Sequence, residues 1–271
     1  MKSQSEGFDT EPIDSGNETM HEFITFFRDL VIILIIVLFI RAFIVTPFRI
    51  NGSSMESNYH DKEYILVDKF SYTNLPAEYS YAAKFGTGFS SLVAKTLNKI
   101  PVHISDPVRG DVVVITPHAD ISKEYYIKRI VGMPNDIIRF ENGFVAIKKP
   151  GATEFIRINE PYLSLANSGH TFLPESTEGN QFTVPEGYYW IMGDNRNNSA
   201  DARSCFRTCN GKDINAHFIS RKDIIGHVLL DFGYFNIFGE GGLLSSGKIS
   251  WTNPPRFLNH PRTATYPELG E

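Results

Sequence analysis

The apolar residues of this chain follow two different patterns, which meet near residue 45. Between residues 30 and 40 the sequence reads LVIILIIVLFI without a polar interruption, and apolar character extends over the span 23–45. As an α-helix this span would be about 34 Å long at roughly 1.5 Å per residue, enough to cross a hydrocarbon core of about 30 Å. Its charged residues, Arg28, Asp29 and Arg41, lie towards the ends, where side chains reach the lipid headgroups. The pattern predicts a single transmembrane helix over 23–45.

The segment before this span, 1–22, is acidic, because it contains one lysine and six Asp or Glu residues. A cleaved signal peptide usually begins with a basic segment and ends in small residues at its cleavage site. Neither feature is present here, since no Ala-X-Ala sequence follows the apolar span. We therefore expect an acidic N-terminal tail over 1–22 and an uncleaved membrane anchor, rather than a signal peptide or the core helix of a soluble protein.

From residue 46 onwards the sequence changes to short runs rich in β-branched and aromatic residues, bounded by turn sequences such as E-N-G at 141–143. Many short strands with few helical periods indicate a mainly β fold of the sandwich or barrel type. We expect one β-rich domain over 46–250, with insertions at 82–100 and 204–217, followed by a Pro-rich C-terminal tail over 251–271. The predicted strands are 63–67, 111–115, 125–131, 136–140, 144–147, 155–158, 188–192 and 224–231.

Composition and charge exclude several classes of function. The chain has 271 residues, 42% of them hydrophobic, so it is long enough and apolar enough to bury a core. Its net charge of −5 comes from the acidic tail, and the rest of the chain is neutral, which predicts no nucleic-acid surface. Two cysteines cannot form a four-cysteine zinc site, and the eight histidines contain no H-E-x-x-H motif. We therefore expect no metal site.

Three stretches carry residues that could perform chemistry: 47–55 (PFRINGSSM), 125–136 (YYIKRIVGMPND) and 193–203 (GDNRNNSADAR). In the second, Lys128 lies within a strand pattern, and its neighbour Arg129 is expected on the opposite face, where it should matter less. A lysine that is removed from water loses its charge readily, and a neutral amine is a general base. A serine becomes a nucleophile when such a base takes its proton.

The three stretches follow an apolar span in an order that resembles the bacterial type I signal peptidase family, whose enzymes use a serine–lysine dyad. The matching motifs are P-F-x-I-x-G-x-S-M at 47–55, R-G-D-V-V-V at 109–114, Y-I-K-R-I-V-G-M-P-x-D at 126–136 and G-D-N-R-x-N-S-x-D-x-R at 193–203. The resemblance implies a membrane-bound serine endopeptidase that removes signal peptides after small residues, through an acyl-enzyme and without a cofactor. It also implies a β-rich catalytic domain beside the membrane.

The resemblance assigns roles to individual positions. It implies Ser54 as the nucleophile, Lys128 as the general base and Ser199 as the residue that orients the lysine. The oxyanion site is then formed by the backbone of Gly52–Ser54, with Ser53. The resemblance further implies that the supporting residues are Asp194, Arg196, Asp201 and Arg203, and that the walls of the pockets for small side chains are Phe48, Ile50, Tyr126 and Ile127.

The chain also departs from the family pattern. Many members have serine at Gly52, whose hydroxyl completes the oxyanion site, so here the site must depend on backbone donors. The usual P-T-L after the methionine is S-N-Y at 57–59, Asn197 replaces an aspartate and Ala202 a serine. Asn135 replaces a turn glycine, and asparagine tolerates the left-handed conformation that such a turn needs.

The side of the membrane on which the domain lies is ambiguous from charge. Arg41 and Arg49 follow the span while little beyond Arg28 precedes it, which by the positive-inside rule places the domain in the cytoplasm. The resemblance implies instead a single-pass protein of the cytoplasmic membrane with its catalytic domain on the extracytoplasmic side, and the rule is weak for long domains. In that oxidising setting, Cys205 and Cys209 are either a disulfide or two free thiols.

The expected partners are preproteins with signal peptides, membrane lipids and a nearby secretion translocon, and no nucleic acid. Two related functions stay open at this point: a specialised pilin or conjugation-type maturation peptidase with the same chemistry, and a non-catalytic membrane-tethered β-domain. A self-cleaving repressor with a similar dyad would need a DNA-binding helix-turn-helix in place of the apolar span.

Overall fold

A computed structural model of the protein describes residues 15–72, 74–75, 102–103, 105–116, 125–175, 177, 179–207, 215–233, 235–236, 250–251, 256–257 and 264–271. The predicted insertion at 82–100 lies outside the described residues. The chain divides into two compact units, Met1–Arg41 and Ala42–Glu271.

The helix α1, Ser15–Phe43, contains most of the predicted anchor. Its stretch Met20–Phe43, 24 residues, is long and apolar enough to cross a membrane, and its large apolar side chains are exposed. The helix begins within the predicted acidic tail and ends two residues before the predicted boundary. Val45 starts a strand instead, because Pro47 lacks an amide donor and disfavours helical conformation in the residue before it.

All eight predicted strands are present, each with bounds within two residues of those expected. The mainly β fold class, with an N-terminal apolar helix, is therefore confirmed. The strands of the described residues are β1 Val45–Arg49, β2 Tyr64–Asp68, β3 Asn74–Leu75, β4 Val102–His103, β5 Val112–Ile115, β6 Tyr126–Gly132, β7 Ile137–Glu141, β8 Phe144–Lys148, β9 Ile156–Arg157, β10 Gln181–Thr183, β11 Tyr188–Met192, β12 Ile219–Ser220, β13 Ile224–Gly233, β14 Phe235–Asn236, β15 Ser250–Trp251 and β16 Arg256–Phe257.

Within the described residues the largest sheet has eight antiparallel strands in the order β1-β2-β13-β5-β6-β11-β12, with β16 beside β13. β1 and β12 are the edge strands of this order, and β6 lies in the interior between β5 and β11. Lys128 on β6 is directly opposite Val113 on β5, and this register sets the position of Lys128 along the strand direction of the sheet. A second sheet has the order β10-β7-β8-β9.

The last described segment, 264–271, packs against the core between the two sheets rather than extending into solvent. Tyr266 is fully buried there, and its hydroxyl lies 3.0 Å from that of Tyr162. Arg109, from the R-G-D-V-V-V motif, donates to Glu271 at 2.8 Å and to Asp136 at 2.8 Å. The Pro-rich tail expected over 251–271 therefore ends in a packed segment.

The turn before β7 has the left-handed conformation that was expected at Asn135. Asn135 has φ +68°, a left-handed conformation, and its side chain donates to Glu186. Asp136, the next residue, is buried and accepts the amide of Met133 at 2.7 Å. The turn therefore keeps the required backbone geometry without glycine.

Candidate active site

Ser54 and Lys128 meet in the structure although 74 positions separate them in the chain. Lys128 Nζ lies 2.7 Å from Ser54 Oγ and donates a second hydrogen bond to the carbonyl oxygen of Ile127 at 2.8 Å. The lysine side chain is buried, with 1% of the residue exposed, whereas Ser54 is half-buried. This contact places a hydroxyl within reach of an amine held away from water.

The turn that carries Ser54 follows β1 and is anchored by a buried side chain. Met55 is 1% exposed and belongs to the core cluster that includes Ile50. Gly52 has φ +123°, a conformation that favours glycine, and its amide donates to Asp61 Oδ1 at 2.8 Å. The Gly52 amide is therefore already engaged, while the amides of Ser53 and Ser54 make no hydrogen bond among the described residues. The backbone donors expected from Gly52–Ser54 are thus restricted to Ser53 and Ser54.

Two asparagines that sequence analysis missed hold the Ser54 turn against the stretch 193–203. Asn195 donates its backbone amide to Ser54 O and its side chain to Ser53 O, both at 3.0 Å. Asn198 donates to Ser53 Oγ at 2.9 Å, so that hydroxyl is engaged away from Lys128. A signal was available, because the motif at 193–203 has asparagine at three of the four positions 195–198.

Asn58 fixes the far end of the same turn. Its side-chain amide donates to Asp194 Oδ2 at 2.7 Å and to the Tyr162 carbonyl at 2.8 Å. It is the middle residue of the S-N-Y sequence at 57–59, where the resemblance implied P-T-L. This sequence therefore supplies a polar contact to a buried carboxylate.

Arg129, next to Lys128 on β6, points to the opposite side of the strand, as expected. Its guanidinium binds both carboxylate oxygens of Asp194, at 2.9 and 2.7 Å, and donates to Gly110 O at 2.8 Å. It also lies over the Tyr162 ring, 4.1 Å from its centroid. Both charged side chains are buried. Burial lowers the pKa of Arg129, but the Asp194 carboxylate more than reverses this and raises it. Arg129 is thus held in a buried ion pair, and the effect of replacing it on activity stays a prediction.

The other two predicted arginines are also buried and paired with carboxylates. Arg203 Nη2 lies 2.9 Å from Asp201 Oδ2, so these two supporting residues form an ion pair. Arg196 pairs with Glu160, which sequence analysis missed, and not with Asp194. Asp201 also accepts the Gly193 amide at 3.0 Å. Burial raises the pKa of Asp201, and the Arg203 guanidinium lowers it by more, so the pKa lies below its ordinary value.

Ser199 lies beside the dyad without the expected bond to Lys128. The Ser199 Oγ is buried and makes no hydrogen bond of normal length and angle among the described residues. The Ser199 hydroxyl still interacts with the Asp201 carboxylate and helps to lower the pKa of Asp201. Gly193 is close to both serines: a Cβ there would lie 2.2 Å from Ser199 Oγ and 2.4 Å from Ser54 O. A side chain at Gly193 would therefore displace the Ser54 turn.

A cleft of about 360 Å³ opens over Ser54 and Lys128. All four predicted pocket residues line it, as do Gly52 and Ser53. Its wall near Phe48 and Ile127 is apolar, which suits small apolar side chains. The residues that line the cleft are Phe48, Arg49, Ile50, Asn51, Gly52, Ser53, Ser54, Ile65, Val114, Tyr125, Tyr126, Ile127, Lys128, Asn198, Ala200 and Arg207.

Cys205 is disulfide-bonded and 2% exposed, in a short 3₁₀ segment, Ala202–Arg207. Cys209 lies outside the described residues, as do residues 208–214 of the predicted insertion at 204–217. In the part of the chain that the structure describes, no group of three or more His, Cys, Asp or Glu side chains could hold a metal ion.

The lowered pKa of Asp201 predicts how stability depends on pH. A carboxyl with a folded-state pKa below its unfolded value of about 3.9 stabilises the fold above that value, and the stabilisation disappears as pH falls through the folded-state pKa. We expect Asp201→Asn to lower the free energy of unfolding at pH 7 by about 3 to 5 kcal/mol, because Arg203 remains buried without its carboxylate. Urea unfolding in detergent at neutral pH and near pH 3 should show this difference shrinking in acid; an equal difference at both would contradict the ion pair.

Comparison with known proteins shows which family this chain resembles. The family described as "Signal peptidase, peptidase S26" matches residues 23–232. Signal peptidase I of Pseudomonas fluorescens is 34% identical over 191 residues, which cover 63% of this chain and 59% of that protein. Signal peptidase I T of Bacillus subtilis is 30% identical over 179 residues, covering 65% of this chain and 73% of that protein.

Among solved structures, a signal peptidase I from Enterococcus faecalis is similar with a TM-score of 0.31 and 21% identity, over 45% of this chain and 97% of that one. The chain spans about three-fifths of the length of the Pseudomonas relative. Because the family match covers most of the chain, from the apolar helix to β13, the chain belongs to the signal peptidase family, peptidase S26.

Proposed function

We propose that this protein is a membrane-bound serine endopeptidase that removes N-terminal signal peptides from exported preproteins after small residues. The observation that carries the proposal is the 2.7 Å contact between Ser54 Oγ and buried Lys128 Nζ, at the base of a cleft with an apolar wall. A non-catalytic binding domain would not need this contact. No observation favours a specialised maturation peptidase over a general one.

In the proposed first step, an extended segment of the preprotein lies between β1 and β6, with a small residue before the scissile bond near Ile50 and Tyr126. Neutral Lys128 takes the proton of Ser54 Oγ as this oxygen attacks the carbonyl carbon. The amides of Ser53 and Ser54 are the backbone donors available to the oxygen that becomes negative, because the Gly52 amide is bound to Asp61.

In the second step, the ammonium of Lys128 gives its proton to the leaving amine, and the mature protein departs. The signal peptide remains as an ester on Ser54. Lys128, neutral again, takes a proton from water as the water oxygen attacks the ester, and it gives this proton to Ser54 Oγ when the acyl–oxygen bond breaks. The signal peptide leaves with a new carboxyl group, which loses its proton to solvent. The lysine thus returns to its starting state without any cofactor in the cycle.

The location follows from the same proposal. The apolar stretch Met20–Phe43 anchors the protein in the cytoplasmic membrane as a single span, with 50–271 on the extracytoplasmic side, where preproteins emerge. The preprotein is the expected partner, with membrane lipids around the anchor and the secretion translocon nearby. Arg41 and Arg49 do not prevent this orientation, because long domains largely escape the positive-inside rule.

The nucleophile can be tested by replacing neighbouring serines. We expect Ser54→Ala to abolish cleavage, because it removes the attacking oxygen. We expect Ser53→Ala to keep most of the activity, because Ser53 Oγ faces Asn198. The assay is the purified protein in detergent with a precursor ending in Ala-X-Ala, followed by sequencing of the new N-terminus. An active Ser54→Ala variant with unchanged thermal unfolding would refute the dyad.

The base predicts a dependence on pH. Burial disfavours the charged form of Lys128, so we expect its pKa to lie below the reference value of about 10.4. Because the ammonium form cannot accept the serine proton, kcat/KM should rise with pH along one ionisation and be nearly lost in acid. Lys128→Arg should be inactive at every pH, since guanidinium stays charged. Lys222→Arg, on an exposed residue outside the cleft, is the matched control. A flat profile would rule out lysine as the base.

Orientation can be measured in intact spheroplasts. Protease added from outside should degrade 50–271 and leave 1–22 protected, because the proposal places only the N-terminal tail in the cytoplasm. Antibody tags at the two ends identify the fragments, and lysed spheroplasts show that both regions are cleavable. A protected catalytic domain with an accessible N-terminal tag would overturn the proposed location.

A further inference from the structure

The charges that line the cleft are all positive. Among its described lining residues are Arg49, Lys128 and Arg207, and there is no Asp or Glu. A cleft lined by one sign of charge between apolar walls concentrates its electric field and favours ligands of the opposite sign. The small apolar side chains expected in the pockets carry no charge and gain nothing from this positive field.

Two of the three cations have other contacts. Arg49 is the last residue of β1 and lies over the ring of Tyr64, 5.7 Å from its centroid. Lys128 contacts Ser54 and must be neutral when it acts as a base. Arg207 remains: it is exposed, lines the cleft, and makes no ion pair with any described carboxylate.

The backbone of residues 205–207 has a left-handed conformation that is unusual for residues other than glycine. Cys205, Phe206 and Arg207 have φ of +45°, +54° and +68°, and none is glycine. Each such residue costs about 1 kcal/mol or more, and strain of this kind persists where the surroundings fix it. Here the disulfide of Cys205 and the buried Phe206 ring, 6.0 Å from that of Tyr126, fix it. Arg207 therefore extends from a rigid base beside a wall of the cleft.

We infer that Arg207 is a specificity residue, which binds an acidic side chain of the substrate within three residues of the scissile bond. The inference rests on the proposed peptidase function. The guanidinium would pair with a substrate carboxylate in the cleft, while the apolar wall holds the small side chains. The same charge would repel a lysine at that substrate position.

The expected effect is moderate, because Arg207 is exposed to solvent. Exposed ion pairs correspond to about fivefold in affinity at most, and salt weakens them. For the wild type we therefore expect kcat/KM to fall in the order Glu, Gln, Lys at one substrate position, about twofold to fivefold from Glu to Gln. The preference should be smaller at high salt.

The test uses the full chain in neutral detergent with peptides that contain an Ala-X-Ala site. Glu, Gln or Lys is placed in turn at each of the three positions on either side of the scissile bond, leaving the two alanines unchanged. The variants are Arg207→Gln, which removes the charge, and Arg207→Glu, which reverses it. Lys222→Gln, which removes one exposed positive charge outside the cleft, is the control.

The inference predicts that Arg207→Gln abolishes the Glu preference, because it lowers kcat/KM for the Glu peptide more than for the all-neutral peptide, and that Arg207→Glu prefers Lys at the same position. An unchanged Glu preference in Arg207→Gln, or no charge preference in wild type, would overturn it. So would an effect of Arg207 that requires anionic lipid vesicles and not an acidic peptide. Failure of wild type to cleave even the neutral peptide would count against the peptidase function itself.

Discussion

The buried ion pair between Arg129 and Asp194 is the interaction on which the site depends. It joins strand β6, which carries Lys128, to the stretch 193–203, and through Asn58 to the turn that carries Ser54. Taking two charges out of water is costly, and the cost is recovered only when geometry and hydrogen bonding are good, as in this bidentate pair. Both members of the dyad are therefore tied to one fixed point, which keeps their 2.7 Å contact from depending on a flexible turn alone.

The buried cations near the site have two kinds of partner. Arg129, Arg196 and Arg203 each bind a carboxylate, so their charges are permanent and serve to hold loops together. The contacts of Lys128 to Ser54 Oγ and to a backbone carbonyl are with neutral oxygens. An arginine in that position could not lose its charge, whereas a lysine removed from water can. Structural and catalytic cations thus differ in residue type, arginine against lysine, and in whether the partner oxygen is charged or neutral.

Sequence alone predicts what depends on local pattern. Alternation on β6 separates Lys128 from Arg129, and β-branched runs mark the strands. It does not predict what depends on contacts across the fold: that Arg129 would be paired with Asp194, or that Gly52 would give its amide to Asp61. The packed end of the chain was missed for the same reason, since its prolines indicate an extended segment and only the core shows a place for Tyr266.

The variant Arg129→Lys tests most directly whether the buried pair positions the dyad. Lysine keeps the positive charge but cannot bind both oxygens of Asp194 and the carbonyl of Gly110 at once. The measurement is kcat at saturating Ala-X-Ala substrate, at a temperature where thermal unfolding shows the variant to be folded. If the pair holds Ser54 and Lys128 together, kcat falls by about tenfold or more, as expected for reacting groups displaced by about 1 Å. A folded Arg129→Lys variant with the kcat of wild type would contradict it.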